Sequence, residues 1–69
     1  MLPGEIAVVM DPHIGIDDAF RTYALSAGES GLVLHVCYED NTAALFIGDQ
    51  IIYVDRSSLL PLEEKVLLA

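Results

Sequence analysis

The sequence predicts a small all-β fold, a barrel of five short strands, and three observations carry that prediction. Gly28-Glu29-Ser30-Gly31 reads as a glycine turn feeding the apolar run Leu32-Val33-Leu34-His35-Val36. A second turn signal, Pro3-Gly4-Glu5, leads into Ile6-Ala7-Val8-Val9-Met10. Downstream, two further short apolar runs are closed by Ser57-Ser58-Leu59-Leu60-Pro61-Leu62. Short β-branched runs punctuated by Gly, Pro, Asn and Asp are the pattern of strands joined by turns.

Taken in order, residues 5–10 form the first strand, and Asp11-Pro12 ends it because proline has no N–H for a ladder. Residues 13–27 are ambiguous. Ile16, Ala19, Phe20, Tyr23, Ala24 and Ala27 recur at helical spacing, Asp17 or Asp18 could cap a helix, and Gly28 could end it. The run from Phe20 to Leu25 also alternates as an extended segment would, so the reading favours a long, partly extended loop and leaves open a short helix at 16–27. Residues 31–38 are the clearest strand. Counting by twos puts Leu32, Leu34, Val36 and Tyr38 on one face, with Val33, His35 and Cys37 on the other. Glu39-Asp40-Asn41 turns the chain into a strand at 43–47, and Gly48-Asp49-Gln50 turns it again into one at 51–55. Ser57 to Leu60 reads as one helical turn. Pro61 to Leu68 reads as a short terminal helix, with proline at its first position and Glu63 and Glu64 in its first turn. Residues 1–69 therefore make a single small barrel domain. Leu32, Leu34, Val36, Phe46, Ile52 and Val54 are expected to fill it, leaving Cys37, Ile51 and Tyr53 outside with His35.

Sixty-nine residues allow one domain. A chain this short buries only roughly 60% of its unfolded surface, so it is marginal unless disulfides, metals or partners assist. The lone Cys37 forms no internal disulfide, and Cys37, His13 and His35 fall short of a zinc site. Yet 54% of the residues are hydrophobic and the mean hydropathy is +0.50. A core of this size cannot hide them all, and exposed apolar patches mark association surfaces. The expectation is a protein partner or a homo-oligomer.

Charge narrows the partner. Three Lys and Arg stand against eleven Asp and Glu, a net charge of −8. Arg21, Arg56 and Lys65 are too few and scattered to neutralise a run of phosphates, which argues against direct nucleic-acid binding and against an anionic membrane. No apolar run approaches the roughly twenty residues of a membrane span, and no signal peptide is evident. A lone thiol is compatible with a reducing cytoplasm.

Pro3-Gly4-Glu5-Ile6, Gly28-x-x-Gly31-x-Val33, the strand Ala44-Leu45-Phe46-Ile47 and Val54-x-x-Ser57-x-Leu59-x-Pro61-Leu62 follow one another in an order that resembles small SH3-like barrel proteins of tailed phages and bacteria. The resemblance spans about residues 3–62. It implies a five-stranded barrel with an accessory or binding role, in the cytoplasm of a bacterial host or within a virion, and names no ligand. Gly28-x-x-Gly31-x-Val33 also echoes the KOW motif of ribosomal and transcription-factor barrels. Those turns carry basic residues, whereas here stand Glu29 and Glu39-Asp40, so the nucleic-acid role does not carry over. The polyproline groove of true SH3 domains needs clustered aromatics. This chain offers Phe20, Tyr23, Tyr38, Phe46 and Tyr53, with no tryptophan.

Candidate chemistry is sparse. Asp11-x-His13-x-x-x-Asp17-Asp18 could hold a divalent metal if the loop folded around it, although loops gather Asp for capping and solubility alone. His35 and Cys37 share a strand face, but nucleophilic catalysis also needs an orienting group and an oxyanion site. Ser57 and Ser58 lack a nucleophile-elbow context, and no phosphate-binding glycine loop is present. The reading is a non-enzymatic interaction module with no cofactor. Its candidate contact residues are Tyr53, Ile51, Tyr23, His35 and Cys37, and its acidic surface is Asp17, Asp18, Glu39, Asp40 and Asp49. A second reading makes it an acidic inhibitor occupying a basic nucleic-acid-binding groove on a host enzyme. A third makes it a metal-binding regulatory loop protein centred on His13.

Overall fold

A computed structural model describes residues 1–62. Seven strands, β1 (Ile6–Val9), β2 (His13–Ile16), β3 (Thr22–Leu25), β4 (Ser30–Cys37), β5 (Thr42–Ile47), β6 (Gln50–Asp55) and β7 (Leu59–Pro61), form one antiparallel sheet in the order β3-β2-β6-β5-β4-β1-β7. A 3-10 turn at Arg56–Ser58 joins β6 to β7. The all-β class is therefore as the sequence predicts, but there are seven strands rather than five and the sheet is not closed.

The two extra strands come mainly from the ambiguous segment. Residues 13–25 hold neither the helix nor one long loop, but two short strands joined by a turn. They form the β2–β3 hairpin, with His13 opposite Leu25 and Ile16 opposite Thr22. The predicted helical turn near Ser57 is the 3-10 turn, and Leu59–Pro61 continues as an edge strand along β1 rather than as helix. The terminal helix expected at 61–68 otherwise lies outside the described residues.

Local chemistry explains the elements. A two-residue turn, Gly48-Asp49, links β5 to β6, with Gly48 at φ +61 in the first central position, where hairpins favour glycine. It fixes Ile47 opposite Gln50, and therefore Phe46 opposite Ile51 and Leu45 opposite Ile52. A bulge in β4 between Val33 and His35 inserts Leu34 as an extra residue against β5. Val33 pairs with Leu45 before the bulge and Val36 with Ala43 after it, so both turn inward although they are three residues apart.

The inner face gathers Ala7, Val9, Leu25, Val33, Ala43, Leu45, Ile52, Val54 and Leu59, with Met1, Tyr23, Val36 and Ile47 packed against them. Side chains from β3 at one edge and β7 at the other share this cluster, so the sheet curls around its own inner face. Gly31 leaves no room for a side chain against β5: a Cβ there would come within 2.9 Å of the Phe46 carbonyl and 2.6 Å of Ile47 Cγ1.

Three of the six expected core residues are misplaced. Ile52 and Val54 are buried and Val36 is half-buried, but Leu32, Leu34 and Phe46 are on the outside. Val33, expected outside, is buried. The reason is the register: strict alternation through β4 misses the bulge, and the two-residue turn couples Ile52 to Leu45, not to Phe46.

This assignment has a direct test. Leu45→Ala should cost about 2–5 kcal/mol, the usual range for a fully buried leucine, whereas Phe46→Ala should cost markedly less. Denaturant midpoints of the two variants would measure it, and a larger loss for Phe46→Ala would mean that the faces are reversed.

Candidate functional site

Cross-strand partners in an antiparallel sheet share a face, so the register defines what the outer surface carries. One row runs Ile6–Leu32–Phe46–Ile51 across β1, β4, β5 and β6. A second runs His35–Ala44–Tyr53–Ile16 across β4, β5, β6 and β2. The large apolar members of both rows are each 37–42% exposed, and Leu34 and Ile14 add to the same face. No Asp, Glu, Lys or Arg lies within either row. For so small a protein this is a broad apolar surface open to solvent.

Carboxylates stand at its two ends. Asp18 and Asp49 flank the end where β2 meets its hairpin loop, beside Phe46 and Ile51. The Asp18 carboxylate, hydrogen-bonded to the Tyr53 hydroxyl, raises that phenol above the usual tyrosine range. At the opposite end Asp40 and Asp55 border a groove with His13, Ile14, Ile16 and Tyr53. Asp55 is held below the ordinary carboxylate range, first by the Ser57 backbone N–H and then by the Ser57 hydroxyl. Arg56 donates to Asn41 Oδ1 at 3.1 Å and lies 4.5 Å over the Tyr38 ring.

Asp17 has a different role. It is the one buried charged residue among the described ones, 7% exposed. Its Oδ1 accepts from the backbone N–H of Ala19 and of Arg21, and its Oδ2 accepts from Arg21 Nε and the Tyr23 hydroxyl, all at 2.9 Å. Burial works to raise this carboxyl. The four hydrogen bonds, led by the Arg21 N–H, outweigh burial and hold it below its ordinary value. Tyr23 is pushed up, by burial first and by the Asp17 carboxylate second.

The sequence-predicted contact residues separate accordingly. Tyr53 and Ile51 lie on the outer face, His35 is exposed in the same row as Tyr53, and the half-buried Cys37 stands two residues further along β4, opposite Thr42, with its thiol 3.5 Å from Asp40 Oδ2. Tyr23 packs against the inner cluster and is bonded to Asp17, so it is not on the outer face with Ile51 and Tyr53. The acidic set divides too: Asp17 is used internally, Asp18 and Asp49 stand at one end, and Glu39 and Asp40 belong to the turn at the other. Ile6, Leu32, Leu34, Phe46 and Ile16 were missed as surface residues. The Gly48-Asp49 turn was the available signal for Phe46, since a two-residue turn fixes its partner as Ile51.

The loop around His13 does not gather metal ligands. His13 Nε2 accepts from the Asp55 N–H at 3.1 Å, so the ring proton sits on Nδ1, 3.3 Å from Ser58 Oγ. Both ring nitrogens therefore clip β2 to the β6–β7 connection. Among the described residues no three His, Cys, Asp or Glu side chains come together as a metal site would require. Nor is any described helix long and apolar enough to cross a membrane. Comparison with family models, with curated proteins and with solved structures finds no match to the chain.

The Asp17 network carries a pH dependence of definite sign. Its folded value is depressed, so the unfolded chain takes up the proton first as pH falls. The stability it confers is complete above the unfolded carboxylate value, about 3.9, and is lost as pH drops through the lower folded value. Thermal midpoints across that window should fall more steeply for the native chain than for Asp17→Asn. Some slope should persist in the variant, because Asp55 is lowered as well. Equal slopes would show that the Asp17 carboxylate is not engaged.

Proposed function

We propose that this protein is a non-enzymatic protein–protein interaction module, a small accessory component of a larger assembly, which docks through the outer face of its sheet. The observation that carries the proposal is the pair of cross-strand rows, apolar apart from His35, whose large members are left partly open to solvent among the described residues. Burying such a surface drives association, and the aromatic members Phe46 and Tyr53 are the residue types that dominate contact energies. The carboxylates at the two ends act as a rim, selecting partners by charge more than adding affinity. An accessory role of the kind served by small barrel proteins of tailed phages belongs to the same proposal and is supported by the sequence resemblance alone.

The acidic-inhibitor reading is less well supported. A phosphate mimic needs carboxylates in a continuous track. Here Asp17 is turned to internal use, and the remaining acids stand at opposite ends of an apolar surface.

The two readings differ in their response to salt, because apolar burial is not screened while charge pairing between exposed groups is. Protein captured on the native chain should stay bound at high salt and should be lost when Ile51→Lys places a charge within the face. If instead it elutes at moderate salt, and Ile51→Lys captures it as well as the native chain does, the acidic surface is the docking site and the apolar face is not.

A further inference from the structure

Phe20 is the least explained residue of the described chain. The Asp17 N–H donates to the Arg21 carbonyl and the Phe20 N–H to the Asp17 carbonyl, each at 3.0 Å, closing a three-residue loop of Asp18, Ala19 and Phe20. The third residue of such a loop turns left-handed, and Phe20 sits at φ +62. Every other left-handed position described is occupied by Gly4, Gly28, Gly48 or Asn41, residues that adopt this conformation at low cost. Phe20 alone is bulky, and it is 86% exposed. Folding of the hairpin would be served better by glycine, so the exposed aromatic ring at this tip points to a contact beyond the described residues.

A surface that suits it is present on the same molecule. The groove along β2, about 380 Å³, has Ile14, Ile16, Tyr53 and Val54 as its apolar lining and Asp40 and Asp55 on its border. We propose that the outer face is occupied by a second copy of this chain, related by a two-fold axis, with Phe20 of each copy seated in the groove of the other. The proposal rests on the reading of the outer face as a docking surface and names its occupant.

Three features select a second copy. The tip projects beyond the Ile16 end of β2 while the groove runs back along the strand to His13 and Asp55, so a two-fold axis running across the strands brings each tip over the other groove, as a self-complementary interface requires. The same axis, passing between the two apolar rows, lays the Ile6–Leu32–Phe46–Ile51 row of each copy on the Ala44–Tyr53–Ile16 row of the other. Arg21, whose side chain is 71% exposed beyond its bond to Asp17, is carried with Phe20 toward Asp40 and Asp55. The area is also sufficient. The open surface of these rows with Ile14, Leu34 and Phe20 is on the order of 900 Å², against the roughly 800 Å² that each partner gives to a stable interface.

Light scattering of the purified full chain, over a range of concentrations at low and high salt, tests this. The mass should rise with concentration from the 7.5 kDa of one chain to twice that value. Salt should strengthen the pairing, because two chains of net charge −8 repel at long range. Phe20→Gly should raise the dissociation constant at least about tenfold while keeping or raising the thermal midpoint. That combination separates a lost contact from a damaged fold. A single species of 7.5 kDa under all conditions, a dimer indifferent to Phe20→Gly, or a mass that grows past two copies would each overturn the proposal. An apolar dye distinguishes its failure from that of the docking face itself. A monomer that binds the dye, and loses it on Ile51→Lys, keeps the face open for a foreign partner. A monomer that excludes the dye takes both readings down.

Discussion

One sheet has two faces, and only the face that curls inward can be buried when no second layer packs upon it. That constraint governs the described molecule. Ala7, Val33, Leu45, Ile52 and Val54 are nearly or completely inaccessible because the sheet curls around them, and among the described residues no comparable cover lies over those opposite. Which side chains enjoy burial is settled by register, since a slip of one residue would exchange the two faces entirely. The Gly48-Asp49 turn and the bulge at Leu34 are therefore the two places where the identity of the core is decided.

Asp17 shows how a short hairpin is stabilised where backbone pairing runs out. The loop between β2 and β3 leaves the Ala19 N–H without a backbone partner, and a single carboxylate supplies it along with a second bond to Arg21. A carboxylate so placed must be compensated, because burial penalises its charged form. The Arg21 guanidinium and Tyr23 hydroxyl complete that compensation. His13 performs a similar task at the other end of β2, joining it to Asp55 and Ser58 where β2 shares only one register pair, Ile16 with Tyr53, with its neighbour β6. The hairpin is thus fastened to the sheet by polar side chains as much as by its ladder.

What could be read from the residues follows from these physical distinctions. The strands β1, β4, β5 and β6 were legible because β-branched and apolar runs lie between strong turn formers. The β2–β3 hairpin was not, because Ile16, Phe20, Tyr23 and Ala24 fit a helical stripe as well as an alternating one. Asp17 was also misleading for a reason that is itself chemical: a carboxylate accepting the N–H groups two and four residues on does in this turn much what a helix cap does. The bulge left no mark in the pattern of Leu32 to Val36, where every residue except His35 is apolar and either face could have been the inner one. The outer face was legible in part, through Ile51 and Tyr53. Its full extent was hidden until the register placed Phe46 and Leu32 beside Ile51.

The charge and the hydropathy of this chain belong together. A domain of this size with 54% hydrophobic residues and an open apolar face would collapse into non-specific aggregates unless something opposed unselective contact. Carboxylates at the ends of the face do so without entering it. They keep the local field negative, so an approaching surface must either match the apolar rows closely enough to outweigh the repulsion or bring cations to the rim. In the docking function proposed above, an uncharged surface and an acidic frame would make a filter, in which burial supplies the affinity and charge rejects poorly fitting partners. In the proposed pairing, the left-handed Phe20 at the margin of that frame would give it direction, because a single protruding ring fixes one orientation out of the many that a flat apolar face would accept.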